Sequence, residues 1–223
     1  MDNQSRPALK LVGTSASNGG VFGQVKITGE CEFRGDLDCG RLACTGSVAV
    51  RGGLTAAAIK LTGTCGVETD LVSGEIGGTG ELKVKGGLRS EKVRLSGHLA
   101  VDKDAELGDA VLRGAIVCGG LLSADRLDLG LFGPSSVGEL GGGRLRVRRS
   151  RMGALKNLVS SGGAASLKAG TIEGDQVELQ YTEADVVKGG DIVIGPGCKI
   201  GRVEYSRELR VDSRAQVGQR VRI

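Results

Sequence analysis

Six cysteines, one histidine, a recurring aspartate and a run of arginines are the residues of this 223-residue chain whose types and spacing suit chemistry. Cys31, Cys39, Cys44, Cys65, Cys118 and Cys198 raise the idea of a zinc site or a disulfide framework. No two of them form a C-x-x-C pair, and the lone His98 supplies a mixed Cys/His site poorly. Asp36, Asp70 and Asp104 recur at a constant interval, with Gly53 and Gly87 midway between them. Such a series is either a carboxylate row or a set of turn residues bonding the backbone. Arg144, Arg146, Arg148, Arg149 and Arg151 form a dense arginine run. That density suits anionic lipid, a nucleic acid or an acidic protein.

The elements that position these residues follow from composition and period. The chain holds 40 glycines, 3 prolines, 3 phenylalanines, 2 tyrosines and no tryptophan. Glycine does not recur at every third residue, which excludes collagen. Aliphatic residues are spread throughout, which argues against disorder. So few aromatics cannot fill a thick core, and a thin repetitive one is expected. Gly29, Gly46, Gly63, Gly80, Gly97 and Gly114 keep a constant spacing of 17. Two residues after each glycine stand Cys31, Val48, Cys65, Leu82, Leu99 and Ile116; four after stand Phe33, Val50, Val67, Val84, Val101 and Cys118.

Each unit holds three apolar-x-apolar pieces, such as Val48-Ala49-Val50, Leu54-Thr55-Ala56 and Ile59-Lys60-Leu61. Alternation at period two buries one face of a strand. Three strands and three corners per repeat describe one coil of a triangular β-helix. Stacking at about 4.8 Å turns each column into a ladder of like residues.

This frame sorts the candidate chemistry. Cys31, Cys44, Cys65 and Cys118 fall in inward columns, and Cys39 aligns with Ala56, so they read as small buried hydrophobes. Cys31 and Cys65 lie two coils apart, about 10 Å, too far for a disulfide. No catalytic residue and no metal ligand is assigned. His98 shares a column with Glu30, Ser47, Thr64 and Glu81, a solvated position. The aspartates, also about 10 Å apart, cannot share an ion and read as turn residues. In the arginine segment Leu145 and Val147 point inward, leaving Arg144, Arg146 and Arg148 on the outer face. Without aromatics for base stacking, nucleic acid is not an expected partner. The glycine runs match no phosphate-loop or dinucleotide fingerprint, so no cofactor is expected.

The period blurs between about 130 and 165 and returns beyond. Val177, Ile194 and Val211 are 17 apart, as are Val186 and Val203, and Ile200 and Val217. The expected organisation is a flexible tail over 1–20, a regular β-helix over 21–130, irregular coils over 131–168 and further β-helix coils over 169–223. Residues 141–223 carry 15 Lys+Arg against 9 Asp+Glu, whereas residues 1–140 carry 15 against 17. Neither a signal peptide nor a run of about 18 apolar residues is evident, so a cytoplasmic protein in a reducing compartment is expected.

The repeating units, as in Leu42-Ala43-Cys44-Thr45-Gly46-Ser47-Val48-Ala49-Val50-Arg51-Gly52-Gly53-Leu54, resemble those of the bactofilins, a bacterial polymer-forming cytoskeletal family. The polar first residues and the absence of a catalytic motif belong to the same resemblance. It covers residues 21–130 clearly and 170–223 less so, and is nearest in layout to the longer Gram-positive members. It implies a right-handed triangular β-helix that assembles end to end without nucleotide, with itself or a paralogue, often at an anionic membrane surface. A β-helix has two ends whose backbone groups lack partners, and soluble solenoids cap them. No capping helix follows Val211, and only loose sequence precedes Val25. Val25 and Ile27 at one end, and Val211, Val217, Val221 and Ile223 at the other, are the expected self-assembly residues. The alternatives are a β-helical enzyme, either an acyltransferase or polysaccharide-active, and an adaptor binding through the basic strand. Acyltransferase hexapeptide repeats need inward residues every six, whereas Leu37, Leu42, Val48 and Leu54 are spaced five, six and six.

Overall fold

Apolar-x-apolar pairs separated by glycine or small polar residues leave the chain one economical solution. Each pair lays two side chains on an inner face, and the glycine turns the chain toward the next face. The computed structural model describes residues 6–150 and 165–223 and shows an all-β solenoid of parallel strands. Residues up to Lys103 form one compact unit and residues from Asp104 a second. Among the described residues there is no helix, and none therefore long and apolar enough to cross a membrane.

The first unit holds β1 (Ala8–Ser17), β2 (Gly20–Phe33), β3 (Leu37–Val50), β4 (Leu54–Val67), β5 (Leu71–Val84) and β6 (Leu88–Val101), stacked in sequence order. From β2 to β6 the pairing keeps the constant offset of the repeat, as in Leu37↔Leu54↔Leu71↔Leu88. One long strand runs through most of each coil, where three separate short strands were expected. The three faces survive inside it, because buried residues come in pairs. In β3 these are Leu37 with Cys39, Leu42 with Cys44, and Val48 with Val50. The strand runs on through the two corners between faces, although Gly40 at the first is passed over in the register, and only the third, at residues such as 51–53, breaks it. Each fully buried aliphatic in these rows contributes about 1.5–3 kcal/mol by leaving water.

The 1–20 tail expectation does not hold for Ala8–Ser17. Those residues form β1, paired in parallel with β2 from Ala8↔Gln24 to Ser17↔Phe33. The offset is one short of the repeat, and a search at the regular period therefore passes over it. Leu9-Lys10-Leu11 is the apolar-x-apolar piece, and Gly13 stands against Gly29 at the corner.

The second unit holds β7 (Ala105–Leu131), β8 (Ser135–Arg149), β9 (Leu167–Leu179), β10 (Thr182–Ile194), β11 (Lys199–Val211) and β12 (Gln216–Arg222). β7 is long because it continues through a corner into the next coil, where Phe132 N–H donates to the Gly114 carbonyl at 2.9 Å. Here the offsets vary. Cys118 pairs with Val137 and Leu122 with Leu140, while β8 meets β9 at Ser135↔Leu167. The segment expected to be irregular, 131–168, thus contains a regular strand, β8, paired on both sides; residues 151–164 lie outside the described residues.

Two alignments in this unit are corrected. Val177 pairs with Ile192, not Ile194, since the offset between β9 and β10 is shorter than the repeat. Val187, not Val186, pairs with Val203. The pairs Ile194↔Val211 and Ile200↔Val217 are as expected.

Candidate functional site: corners, edge rows and an arginine pocket

At the corners the recurring aspartates have a definite task. The Asp36 carboxylate accepts a hydrogen bond from Gly53 N–H at 2.7 Å, Asp70 from Gly87 N–H at 2.7 Å, and Asp104 from Leu121 N–H at 2.8 Å. Each reaches one coil onward and satisfies the donor that the corner would leave unpaired. Glycine is required opposite. A Cβ at Gly52 would lie 2.7 Å from the Asp36 backbone nitrogen and still closer to its carboxylate. Aspartate therefore alternates with Gly52-Gly53 and Gly86-Gly87 at this corner, and with Gly120-Leu121 opposite Asp104, so its chemistry repeats every second coil. The turn reading of the aspartates is the observed one.

All six cysteines are free thiols and buried. Burial pushes the Cys65 thiol up to about 12 and the Cys44 thiol up to about 11, each with a further rise from a neighbouring cysteine. Burial, then the Asp38 carboxylate, raises Cys39 to about 11, against a lowering by Arg6. An unfolded thiol ionises near about pH 8.5. Between that value and the raised native values the folded state holds more protons than the unfolded chain, so stability falls as pH rises through this window. We expect urea midpoints to decline from about pH 8.5 to about pH 10.5, and a C39A/C44V/C65V variant to flatten that slope. A thiol-reactive dye at mildly alkaline pH should label these cysteines only after unfolding.

His98, in β6, is half-buried opposite Glu81, whose carboxylate is engaged by Lys83 at 3.0 Å. Among the described residues no group of three or more His, Cys, Asp or Glu side chains is placed to hold a metal ion.

The expected self-assembly residues separate into two sets. Val25 and Ile27 are 0% and 1% exposed, covered by Leu9 and Leu11 of β1, so they are not at an edge. The edge row is Leu9 and Leu11, half-buried where their counterparts one coil inward are sealed. Sequence inspection missed both because β1 sits one residue off the regular grid. At the other edge Val211, Val217 and Val221 are half-buried and Ile223 is 70% exposed. Among the described residues no strand pairs with the outer edge of β1 or of β12.

The arginines of β8 alternate with buried residues as expected: Leu145 and Val147 are each 0% exposed, and Arg144 and Arg146 stand on the outside. They do not form one free basic face. Arg144 Nε donates to Gln176 Oε1 at 2.8 Å and Arg146 Nε to Glu178 Oε2 at 2.6 Å, both on the adjacent coil. Arg148 reaches Asp128 at 3.3 Å, a carboxylate that Arg113 already holds bidentately at 3.1 and 3.2 Å. Burial alone would raise the Asp128 carboxyl, but the hydrogen bonds and charges of Arg113 and Arg148 outweigh it and lower its pKa. Arg149 lies with its guanidinium carbon 4.8 Å from the Tyr181 ring centroid, a cation–π contact. Arg151 lies outside the described residues. Arg113, Asp128 and Tyr181 escaped sequence inspection. A one-residue lengthening of the offset brings Asp128 opposite Arg146 and beside Arg148, which the regular period does not show.

With this geometry in view, known proteins add little chemistry. No protein-family model matches the chain, and no solved structure does. The chain is 37% identical over 105 residues to the uncharacterized protein YhbF of Bacillus subtilis (strain 168), covering 47% of this chain and 42% of that one. It is 40% identical over 100 residues to the uncharacterized protein YhbE of the same strain, covering 44% and 41%. These matches span less than half the length of the curated relatives.

Proposed function

We propose that this protein is a structural, bactofilin-like scaffold that polymerises through its terminal coils without nucleotide and without catalysis. The observation that carries the reading is the state of the edge rows. Leu9 and Leu11 in β1, and Val217 and Val221 in β12, occupy or adjoin inward rows yet remain half-exposed, beside strand edges that no strand pairs with among the described residues. An uncovered parallel edge with an apolar row beneath it is a template for another strand. A second copy satisfies both needs, continuing the ladder and sealing the row. Val12, 67% exposed, adds apolar surface on β1.

The side-chain chemistry supports the same role. The cysteines are buried with raised thiol pKa values, and the aspartates at 36, 70 and 104 are committed to corner backbone. Six reduced thiols fit a cytoplasmic setting.

Electron microscopy and sedimentation velocity of the purified protein test this reading, with L9K/L11K and V217K/V221K variants alongside. The expected result is concentration-dependent filaments in the wild type and short or monomeric species in both variants. A wild type that stays monomeric at high concentration defeats the proposal. Filaments unchanged in both variants would remove the edge rows as the interface.

A further inference from the structure

Arg149 stands where a core residue should. In the ladder it pairs with Leu131, which is 0% exposed, and it follows Leu145 and Val147 at the same inward phase. An arginine in such a row must be paired or hydrogen-bonded to offset the loss of water. Yet its Nε is buried with no hydrogen-bond partner among the described residues. Tyr181 supports the guanidinium face but supplies no countercharge.

The same side chain lines a cavity of about 380 Å³ with Arg113, Asp128, Arg148, Ser150 and Gln180. That is the volume of roughly a dozen water molecules. Three guanidinium groups meet one carboxylate here. Asp128 is already shared between Arg113 and Arg148, which leaves Arg149 without an anionic partner among the described residues. Gln180 and Ser150, residues with neutral hydrogen-bonding side chains, line the same wall. Arg113 is pinned further by the Leu112 and Asp128 carbonyls, at 3.0 and 2.9 Å, and Gly130 leaves it room, since a Cβ there would lie 2.8 Å from its Cδ.

We infer that this cavity binds a phosphate group, with Arg149 as the principal donor, Arg148 as the second charge, and Gln180 and Ser150 completing the shell. Three guanidinium groups around one cavity offer more N–H donors than the two oxygens of a carboxylate take up, and suit a group with three or four oxygens. Guanidinium forks match phosphate oxygens bidentately, which an ammonium cannot do. The inference stands independently of polymer formation, because every residue used lies in strands or corners of the second unit away from the β12 edge. It also narrows the basic segment to a pocket, since Arg144 and Arg146 are engaged elsewhere.

The test is thermal unfolding and isothermal titration of the full-length protein with inorganic phosphate, against sodium chloride of equal ionic strength. R149Q and R149K are compared with R144Q as a surface control. A parallel arm measures co-flotation with vesicles of phosphatidylcholine doped with phosphatidic acid, against vesicles of phosphatidylcholine alone. The expected result is a phosphate-dependent rise in melting temperature and millimolar or tighter binding. R149Q should weaken that binding at least tenfold, R149K should weaken it measurably, and R144Q should leave it intact. Flotation on phosphatidic acid lost in R149Q, without binding of free phosphate, would assign the group to a lipid headgroup and support the site. Circular dichroism of R149Q in chloride establishes that the variant folds. No response to phosphate beyond chloride and no Arg149-dependent flotation would overturn the inference, as would binding that R149Q and R144Q reduce equally.

Discussion

A Gly63→Ala protein is expected to lose roughly 2–6 kcal/mol of stability, from backbone strain and overpacking together. Gly63 sits at a corner with φ +124°, a region that side-chain-bearing residues rarely adopt, and an added Cβ would meet the Gly46 carbonyl carbon at 2.9 Å and its oxygen closer still. Both obstacles are backbone, so no rotamer change relieves them. The same carbonyl column continues through Gly29, Gly46, Gly80 and Gly97, all at positive φ. A shift at Gly63 therefore propagates into neighbouring coils instead of being absorbed locally. Gly66 provides the control three residues away. A Cβ there meets nothing within 4 Å, and its ladder partners are Ala49 and Lys83. Gly66→Ala should be neutral or stabilising by about 0.4–1 kcal/mol, through a less flexible unfolded chain. Chemical denaturation followed by circular dichroism measures both; equal losses in the two variants would show that corner geometry is not the cause.

Phe33→Ala is expected to cost about 3–5 kcal/mol. Phe33 is 0% exposed and is the largest fully buried side chain of the protein's described residues. Its column runs Ser17, Phe33, Val50, Val67, Val84, Val101. Its neighbour on the β1 side, Ser17, is far smaller than the valines that continue the column. Phe33→Val, copying the residue one coil on, should lose less than half as much, because a branched aliphatic side chain remains and the column chemistry is unchanged. In a solenoid each coil leans only on its neighbours. The loss should therefore appear first as faster hydrogen exchange of the Ala8–Ser17 amides. Uniform acceleration across the first unit, with β1 no faster than β5, would contradict that view.

The corner chemistry divides what was readable from what was not. Asp36, Asp70 and Asp104 could be recognised as turn residues because their interval is twice the coil length, and a side chain acting one coil onward must repeat in register. Cys31, Cys44 and Cys65 could be placed inside because the columns around them are Val, Leu and Ile. In both cases the signal is a constant offset between coils, and that constancy holds from β2 to β6. β1 and the second unit fall outside it. The shorter offsets at β1 and between β9 and β10, and the longer ones between β7 and β8, arise at corners, where a residue more or less leaves the inward pairs untouched. The corner between one long strand and the next, at β1 and between β9 and β10, tolerates a change of length that the strands and the glycine corners within β2 to β6 do not show. The edge row Leu9 and Leu11, and the opposition of Asp128 to the arginines, were hidden by those small changes.

By itself the sequence determined that this chain is a thin β-solenoid, because period-two alternation repeated at a fixed interval has no other way to bury its apolar face. It also determined that the cysteines are core and that glycine holds the corners. Only the tertiary structure decided which strand lies at the edge of the described residues, which valines are covered, and which arginine has a buried nitrogen with no partner among those residues. Those outcomes depend on the register between coils, and register is set by pairing across the ladder rather than by the order of residues along it. A single-residue change in corner length moves every side chain beyond it to a new partner while the local pattern reads the same.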